Sequence, residues 1–274
     1  MSVETSHVVK VFVQAPCESL RPFVKRFLVV EFPTAKKDSH LPDTGLVACF
    51  CFKGDGILYE NKRAPRLGLT GLWDRPRQYE HSQNTGAVLV AFTATGAAAL
   101  LRQPVDEFFN GTIALDDILG GSAELNRVHE RVAEASNHAR RIQAVENFLV
   151  ANTANARLDL LVSSAVSKIE AAHGRVRIEH LARRVGLSQS ALERRFRRVA
   201  GASPKQFASI VRLRHVLHLR AKGADFTSIS IEAGYCDQSH FIKDFKQMTG
   251  FAPESFFQRK LSPWFDDVAH ATVA

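Results

Sequence analysis

An internal repeat in the final hundred residues constrains the fold more than any other feature of this sequence. The segment VGLSQSALERRFRRVAGASP at 185–204 aligns with AGYCDQSHFIKDFKQMTGFAP at 233–253 when the second turn is allowed one extra residue. The alignment matches Gly186 with Gly234, Leu192 with Phe241, Phe196 with Phe245, Gly201 with Gly250 and Pro204 with Pro253. A unit written twice in this way predicts the same supersecondary structure twice.

Each copy is predicted to be a helix, a glycine turn and a second helix. A short amphipathic segment precedes each glycine, which indicates the first helix of the unit. Gly186 and Gly234 supply the backbone freedom that a sharp turn between crossed helices requires. Ser188 and Asp237 are placed as N-caps of the second helices. The sequence therefore predicts two helix-turn-helix units, whose second helices span about 189–200 and 238–249.

The second helix of the first unit has an apolar side and a basic side. Leu192, Phe196 and Val199 recur at helical spacing and are predicted to be buried. The opposite side carries Ser190, Glu193, Arg194, Arg197 and Arg198. This is the geometry of a recognition helix in a major groove, where arginine binds guanine or phosphate. We predict that Arg194 and Arg197 contact DNA bases. Arg198 and Arg195 are predicted to contact phosphate groups.

Glu193 has two interpretations that the sequence leaves open. Its carboxylate could accept a hydrogen bond from a cytosine amino group. The spacing Ser190-x-x-Glu193 also fits a capping box, in which the glutamate would only stabilise the start of its own helix.

The segment between the units predicts one long helix. It runs over 203–223, opened by Pro204 at a favourable first-turn position and closed by Gly223. About 18 helical residues would span about 27 Å. With the width of the flanking helices, the two recognition helices would lie near the spacing of about 34 Å between successive major grooves.

The net charge of +8 comes from one end of the chain. Residues 1–155 carry 17 basic and 17 acidic residues, which leaves 19 and 11 for residues 156–274. Within 175–223 there are 13 basic residues and two acidic ones. Such a density of charge repels itself unless solvent or a polyanion offsets it. Charge alone does not distinguish a solvated basic surface from a surface that binds a polyanion, whereas the repeat favours DNA binding.

The N-terminal part predicts an antiparallel β region, a small barrel or sandwich, up to about residue 96. The predicted strands are HVVKVFVQ at 7–14, RFLVVEF at 26–32, LVACFCF at 46–52 and AVLVAF at 87–92. FKGDGILYE predicts a hairpin turn. Helical periodicity follows TGAAALLRQPVDEFF and is strong over 122–172. The predicted fold class is therefore α+β and multidomain, with a β-barrel followed by helices and an all-α C-terminal domain.

The C-terminal repeat resembles the DNA-binding domain of the AraC/XylS family of transcriptional regulators. AGYCDQSHFIKDFKQMTGFAP is similar to the family's C-terminal signature along its whole length. The sequence departs from it at Ser230, Cys236 and Phe257, where Ala, Ser and Arg are usual. The resemblance implies DNA contacts from Ser190, Glu193, Arg194 and Arg197 in the first unit and from Gln238, Ser239, Ile242 and Lys243 in the second.

The N-terminal part resembles the cupin-like β-barrel of one branch of the same family. The resemblance rests on HLPDTGLVACFCF and FTATGAAALLRQPVDEFFNGTIALDDILG, and it implies effector binding or dimerisation. The sequence has no His-x-His with a following Glu, so we predict no metal site. His40 and His81 are isolated and stay unassigned. Cys49 and Cys51 face one side of a strand and are interpreted as buried side chains rather than as a thiol sensor.

These observations predict a cytoplasmic, sequence-specific and effector-responsive transcription regulator. Its predicted divisions are 1–155 for sensing or dimerisation, a linking helix at 156–174, the DNA-binding domain at 175–260 and a tail at 261–274. Double-stranded DNA is the predicted partner, and a small-molecule effector, RNA polymerase and a second copy of the chain are candidates; no membrane is involved. No catalytic residue and no cofactor are predicted. The alternatives are a DNA-binding protein without sequence preference and a cupin-type enzyme with accessory DNA binding.

Overall fold

The computed structural model describes residues 9–59, 61–121 and 123–258. Its strands are β1 (Lys10–Gln14), β2 (Val24–Phe32), β3 (Lys36–His40), β4 (Val47–Lys53), β5 (Ile57–Tyr59), β6 (Lys62–Arg63), β7 (Leu67–Thr70), β8 (Arg77–His81), β9 (Thr85–Phe92) and β10 (Thr112–Ala114). Its helices are α1 (Gly96–Leu101), α2 (Leu115–Leu119), α3 (Ala123–Glu134), α4 (His138–Ala151), α5 (Leu160–Ala171), α6 (Ile178–Arg184), α7 (Gln189–Ala200), α8 (Pro204–Ala221), α9 (Phe226–Glu232), α10 (Gln238–Thr249) and α11 (Pro253–Phe257). An antiparallel β region followed by helices confirms the predicted α+β class.

The strands form two antiparallel sheets. The first has the order β1-β2-β9-β4-β7-β10 and the second has the order β3-β8-β5-β6. The apolar runs of the sequence become β2, β9 and β4, which lie next to one another inside the first sheet. Each of these strands is paired along both edges and most of its side chains are buried, which explains why the strands are rich in β-branched and aromatic residues.

The predicted closure into a barrel is wrong. Among the described residues no strand of the first sheet pairs with a strand of the second. FKGDGILYE is accordingly not a hairpin, because β5 pairs with β6 on one edge and with β8 on the other, which leaves no edge for β4. Gly54 and Gly56 take φ values of +85° and +111°. The turn they form therefore carries the chain from one sheet to the other.

The first sheet has two different faces because side chains alternate along each strand. On one face, Phe27 and Val29 of β2 join the main hydrophobic core, to which α3 and α4 contribute Val128 and Val145. The other face lines a cavity, and β2 contributes to it with Val24, Arg26, Leu28, Val30 and Phe32. The same strand thus builds both the core and the wall of the cavity.

One strand lies where only helices were predicted. β10 pairs antiparallel with β7, with Thr112 opposite Thr70. Three residues are too few to show a period of two, so the sequence pattern alone does not indicate this strand.

The two repeated units have matching backbones. Gly186 and Gly234 take φ values of +74° and +75°, and Gly201 and Gly250 take +81° and +82°. Gly201 and Gly250 end α7 and α10 in the left-handed conformation, each donating its N–H over 2.8 Å to the carbonyl four residues earlier. Both predicted helix-turn-helix units are therefore present in the described residues.

The helical C-terminal region is held firmly against the β region. The main core is continuous from the first sheet into α5, α7 and α8. The Val105 N–H donates to the Arg198 carbonyl over 2.9 Å, and the Gln206 amide donates to Asp74 over 3.3 Å. The predicted divisions of the chain stay predictions, and the tail at 261–274 lies outside the described residues.

Candidate nucleic-acid interface and cavity

The start of α7 decides between the two interpretations of Glu193. The Ser188 hydroxyl accepts the Ala191 N–H over 3.3 Å, which confirms Ser188 as the N-cap. Glu193 accepts instead from the side-chain amide of Gln189 over 2.9 Å. A capping box with Ser190 is therefore wrong, and the half-buried Glu193 stays a candidate for base contact.

α7 is anchored on one side and exposed on the other. Leu192 and Phe196 are fully buried, and Phe196 packs edge to face on Phe207 of α8 with 5.4 Å between ring centroids. Val199 is only half-buried. The exposed side carries Ser190, Arg194, Arg197 and Arg198. Three guanidinium groups thus share one solvent-facing side of a fixed helix.

Arg195 has a different role from the other arginines of α7. Its Nε donates to the Asp159 carboxylate over 2.5 Å, and only 15% of the Asp159 side chain is exposed. Asp159 is also the N-cap of α5, where it accepts the Val162 N–H over 3.1 Å. Arg195 therefore docks α7 onto α5, and its interpretation as a phosphate ligand is not supported.

A tyrosine on the side away from the exposed residues fixes α10, the second predicted recognition helix. Asp237 is its N-cap, as predicted, and accepts the His240 N–H over 2.7 Å. The Tyr235 hydroxyl donates to Asp244 over 3.0 Å, and the Arg212 guanidinium of α8 lies 5.2 Å from the centre of the Tyr235 ring. Burial, together with Asp244, raises the pKa of Tyr235, so this hydroxyl keeps its proton. The predicted contact positions are exposed: Gln238, Ser239, Ile242 and Lys243.

The helix between the units, α8, has the predicted length. Its 18 residues correspond to about 27 Å. Ser203 and Gln206 form a capping box at its start. Two arginines of α8 make contacts inside the protein, since Arg212 packs on Tyr235 and the Arg214 guanidinium donates to Asp43 over 2.6 Å.

A cavity of about 1130 Å³ lies between the first sheet, the second sheet and α8. α8 contributes Val211, Arg214, His215, Leu217 and His218 to its wall. The ring of His215 stacks on that of His173 with 4.0 Å between centroids. The helix that separates α7 from α10 is therefore also one wall of the cavity.

A charged cluster that was not predicted from the sequence lies at one end of the cavity. Asp43 is bound by Arg214 and lies 3.9 Å from the Lys25 ammonium, which also donates to the Thr44 hydroxyl over 2.7 Å. Burial alone would raise the pKa of Asp43, but Arg214 and Lys25 outweigh it and hold the pKa well below its usual range. A signal was present in RFLVVEF, where Arg26 stands in a strand that is otherwise buried.

The two histidines described as isolated lie close together on the second sheet. The rings of His40 and His81 are 6.2 Å apart between centroids, and His81 stacks on Phe32 of β2 at 3.7 Å. Burial lowers the pKa of His40 to about 4 and that of His81 to about 3. Both are therefore neutral near pH 7.

The two strand cysteines have suppressed acidity. Burial raises the pKa of Cys49 to about 12 and also raises that of Cys51, although Arg66 opposes both shifts. A thiol kept protonated is a poor nucleophile, which favours the interpretation of both as packed side chains.

Neither a cluster of metal-binding side chains nor a membrane-spanning helix is present in the described residues. Over 9–59, 61–121 and 123–258, no group of three His, Cys, Asp or Glu side chains could hold a metal ion. Within the same ranges, every helix is too short or too polar to cross a bilayer.

Two family models match the chain. A helix-turn-helix domain model matches residues 181–259, and a model described as a domain of unknown function matches residues 13–114. No curated protein sequence matches.

Solved structures that are similar to this chain include three bacterial proteins. A probable AraC family transcriptional regulator from Rhodopseudomonas palustris is 32% identical, with 38% of this chain and 99% of that one covered and a TM-score of 0.33. ToxT from Vibrio cholerae, solved with an unsaturated fatty acid bound, is 14% identical over 84% of this chain and 94% of that one, with a TM-score of 0.44. The AraC-like transcriptional activator CuxR is 15% identical over 81% and 91%, with a TM-score of 0.25.

Proposed function

The chain belongs to the AraC family of transcriptional regulators, and we propose that it inserts α7 and α10 into two successive major grooves of a specific DNA site. The family consists of DNA-binding regulators rather than enzymes, which removes the cupin-type enzyme from consideration. The observation that carries the proposal is the pair of matching units, each with its second helix anchored on aromatic residues and exposed on the other side.

Different residues have different proposed tasks on the DNA. Arg194 and Arg197 would contact base edges, because a guanidinium matches the two acceptors of guanine. Arg198 would hold phosphate, since its backbone is fixed to the β region through Val105 at the end of α7. Ser190 and Glu193 complete the first surface, and Gln238, Ser239, Ile242 and Lys243 form the second.

We further propose that an effector in the cavity controls DNA binding. A ligand that touches α8 contacts the element that sets the spacing of α7 and α10. If the ligand prefers one placement of the two units, it shifts the population towards that placement. The proposed division of labour is residues 1–155 for the effector or dimerisation, 156–174 as a link and 175–260 for DNA. A second copy of the chain and RNA polymerase are further proposed partners, and cytoplasmic action is proposed because the DNA is there.

The proposal predicts unequal effects for two neighbouring arginines. Arg194→Ala should weaken binding to the specific site by about 1 to 3 kcal/mol, because a base contact is lost. Arg198→Ala should weaken binding to specific and random duplexes by a similar factor, because a phosphate contact carries no sequence information. The measurement is a fluorescence anisotropy titration on a duplex selected from the source genome and on a random duplex.

Arg63→Ala is the matched control, since Arg63 is exposed on β6, far along the chain from the repeat. It should leave both affinities unchanged. Equal affinity of the unaltered protein for selected and random duplexes, with a steep salt dependence, would establish the alternative of DNA binding without sequence preference. No effect of Arg194→Ala would remove α7 as the reading helix.

A further inference from the structure

One edge of the first sheet is open and apolar. Among the described residues β1 pairs only with β2, in an unbroken register over all five of its residues. Along its other edge, backbone N–H and C=O groups point away from the sheet. Phe12 and Val13, at the centre of the strand, are 40% and 43% exposed. An edge of this kind can take up a further strand.

The other sheet edges carry features that oppose such pairing. β10, at the far edge of the first sheet, has only three residues and leads directly into α2. In the second sheet, the edge strand β3 contains Lys36, Lys37 and Asp38. The opposite edge strand, β6, consists of Lys62 and Arg63. Short length and charge are the usual means by which proteins keep an edge from binding another strand, and β1 has neither beyond one lysine.

The sequence of β1, KVFVQ, complements itself in an antiparallel pair. When two copies run in opposite directions with Phe12 on the twofold axis, each Phe12 meets its own copy. Val11 then lies against Val13, so apolar side chains face apolar side chains. Lys10 lies against Gln14, whereas a parallel pair would place two lysines side by side, and like charges repel. The register suits either alternation of the outward backbone groups, because a twofold axis can pass through a hydrogen-bonded or a non-hydrogen-bonded pair.

The charge of the chain favours contact between the β regions of two copies. Residues 1–155 carry equal numbers of basic and acidic residues, and the net charge of +8 belongs to residues 156–274. Contact between the C-terminal regions would bring together two bodies of like charge, whereas contact through β1 brings together neutral regions. A second copy of the chain is therefore the partner that suits this edge.

β1 also forms part of the rim of the cavity. Val13 and Ala15 line the cavity and are exposed, whereas Leu28 of the neighbouring β2 lines it with only 4% exposure. Val13 and Leu28 lie opposite each other, so both side chains are on the cavity face of the sheet. A strand added along β1 would therefore place its own side chains at this rim.

We infer that β1 pairs antiparallel with β1 of a second copy of this chain, with Phe12 opposite Phe12, so that Val11 of the second copy lies at the rim of the cavity. This rests on the proposed association with a second copy, because it names the surface for that association. The same patch is used by both copies, as in most twofold dimers. A pair of five-residue strands is a small interface, so the dimer dissociates on dilution.

Opposite charges at position 12 test the register directly. Sedimentation velocity of the unaltered full-length chain should show a species that approaches twice the 30.4 kDa monomer as protein concentration rises. Phe12→Lys alone and Phe12→Asp alone should each weaken the dimer by about tenfold, because like charges then meet on the twofold axis. An equimolar mixture of the two variants should restore the dimer, since opposite charges then meet. A general loss of structure at this position would not produce that recovery.

Leu58→Lys is the matched control, because Leu58 is 39% exposed on β5 of the second sheet. It should leave the dimer unchanged. A dimer that both Phe12 variants leave intact would overturn the β1 pairing, and so would a mixture that forms no more dimer than either variant alone.

Hydrogen exchange of the unaltered chain needs no variant and decides the question if one does not fold. The amides of β1 should exchange more slowly at high than at low protein concentration, because the second copy protects the open edge. Equal exchange of β1 at both concentrations would overturn the pairing.

The unaltered chain is also titrated with selected and random DNA. Sequence-specific DNA binding by a chain that stays monomeric would overturn the β1 pairing and leave the proposed reading of DNA intact. A dimer that passes the charge test but binds both duplexes equally would contradict the proposed function and leave the β1 pairing intact.

Discussion

His81 has an environment that opposes its protonation. Phe32 covers one face of its ring, His40 lies nearby, and burial lowers its pKa to about 3. In the unfolded chain the same imidazole titrates near 6.5. As the pH falls below 6.5, the unfolded state takes up a proton that the folded state refuses, so stability falls until about pH 3.

Replacing His81 should therefore flatten the acid side of the stability profile. His81→Phe should reduce the slope of unfolding free energy against pH by about 1 kcal/mol per pH unit below 6.5 and leave it unchanged above. Urea denaturation at a series of pH values measures this slope. His180→Phe is the same change at an exposed position of α6 and should keep the original slope. Parallel profiles for the unaltered chain and His81→Phe would contradict the assignment.

The roles of some single residues could be predicted from the sequence, and the roles of others could not. Ser188 and Asp237 were found because a cap depends on the next three residues, which the sequence gives directly. His81 and Asp43 were missed because their partners come from other strands and from α8. The charge of Arg195 suggested phosphate binding, but its partner Asp159 lies 36 positions away.

At the scale of elements, the close approach of α5 to α8 depends on one glycine. Gly174 ends the α5 segment with φ +78°, and a Cβ there would collide with the Ala208 carbonyl oxygen and crowd Arg212 of α8. The Arg212 guanidinium in turn donates to the Gly174 carbonyl over 3.2 Å. Any side chain at this position would push α8 away from α5.

Two glycines in the left-handed region should respond differently to alanine. Gly174→Ala should cost about 3 kcal/mol, because steric overlap with α8 adds to backbone strain. Gly186→Ala should cost only about 1 to 2 kcal/mol, since its φ of +74° is strained but no atom lies within 4 Å of the added Cβ. Unfolding free energies from urea titration compare the two. If Gly174→Ala lowers the unfolding free energy no more than Gly186→Ala does, α5 and α8 can move apart without loss of stability.

Elements with strong periodicity were predictable, and their pairing was not. α7 and α10 were expected at 189–200 and 238–249, and they lie at Gln189–Ala200 and Gln238–Thr249. The sheets differ from expectation because strand pairing joins residues far apart in the chain, as when β5 pairs with β8 rather than with β4. β10 was missed for the same reason, because only its pairing with β7 identifies it as a strand.

At the scale of the whole molecule, the ion pair between Asp43 and Arg214 connects the β region to α8. Each side chain is 18% exposed, so the pair is mostly removed from water. Breaking such a pair by removing one partner costs about 3 to 5 kcal/mol, because the other charge stays buried. The pKa of Asp43 is held below its usual range, so this contribution is present near neutral pH and is lost as acid protonates the carboxylate.

Asp43→Asn should therefore uncouple the two regions. Differential scanning calorimetry near neutral pH should show a lower unfolding temperature and a transition that broadens or splits. In acid, where Asp43 itself becomes neutral, the variant and the unaltered chain should converge. The control Asp55→Asn, in the exposed turn after β4, should melt like the unaltered chain. Identical melts for Asp43→Asn at neutral pH would show that the pair does not join the regions.

The ion pair between Asp43 and Arg214 also constrains how the sequence of the protein can evolve. Losing Asp43 alone removes the carboxylate that the Arg214 guanidinium contacts, and losing Arg214 alone leaves Asp43 with the Lys25 ammonium as its neighbouring cation. The wall of the cavity and the helix between α7 and α10 are then not independent targets of selection. A substitution that adapts the cavity near this pair to a new compound also changes a contact of the helix that separates the two helix-turn-helix units.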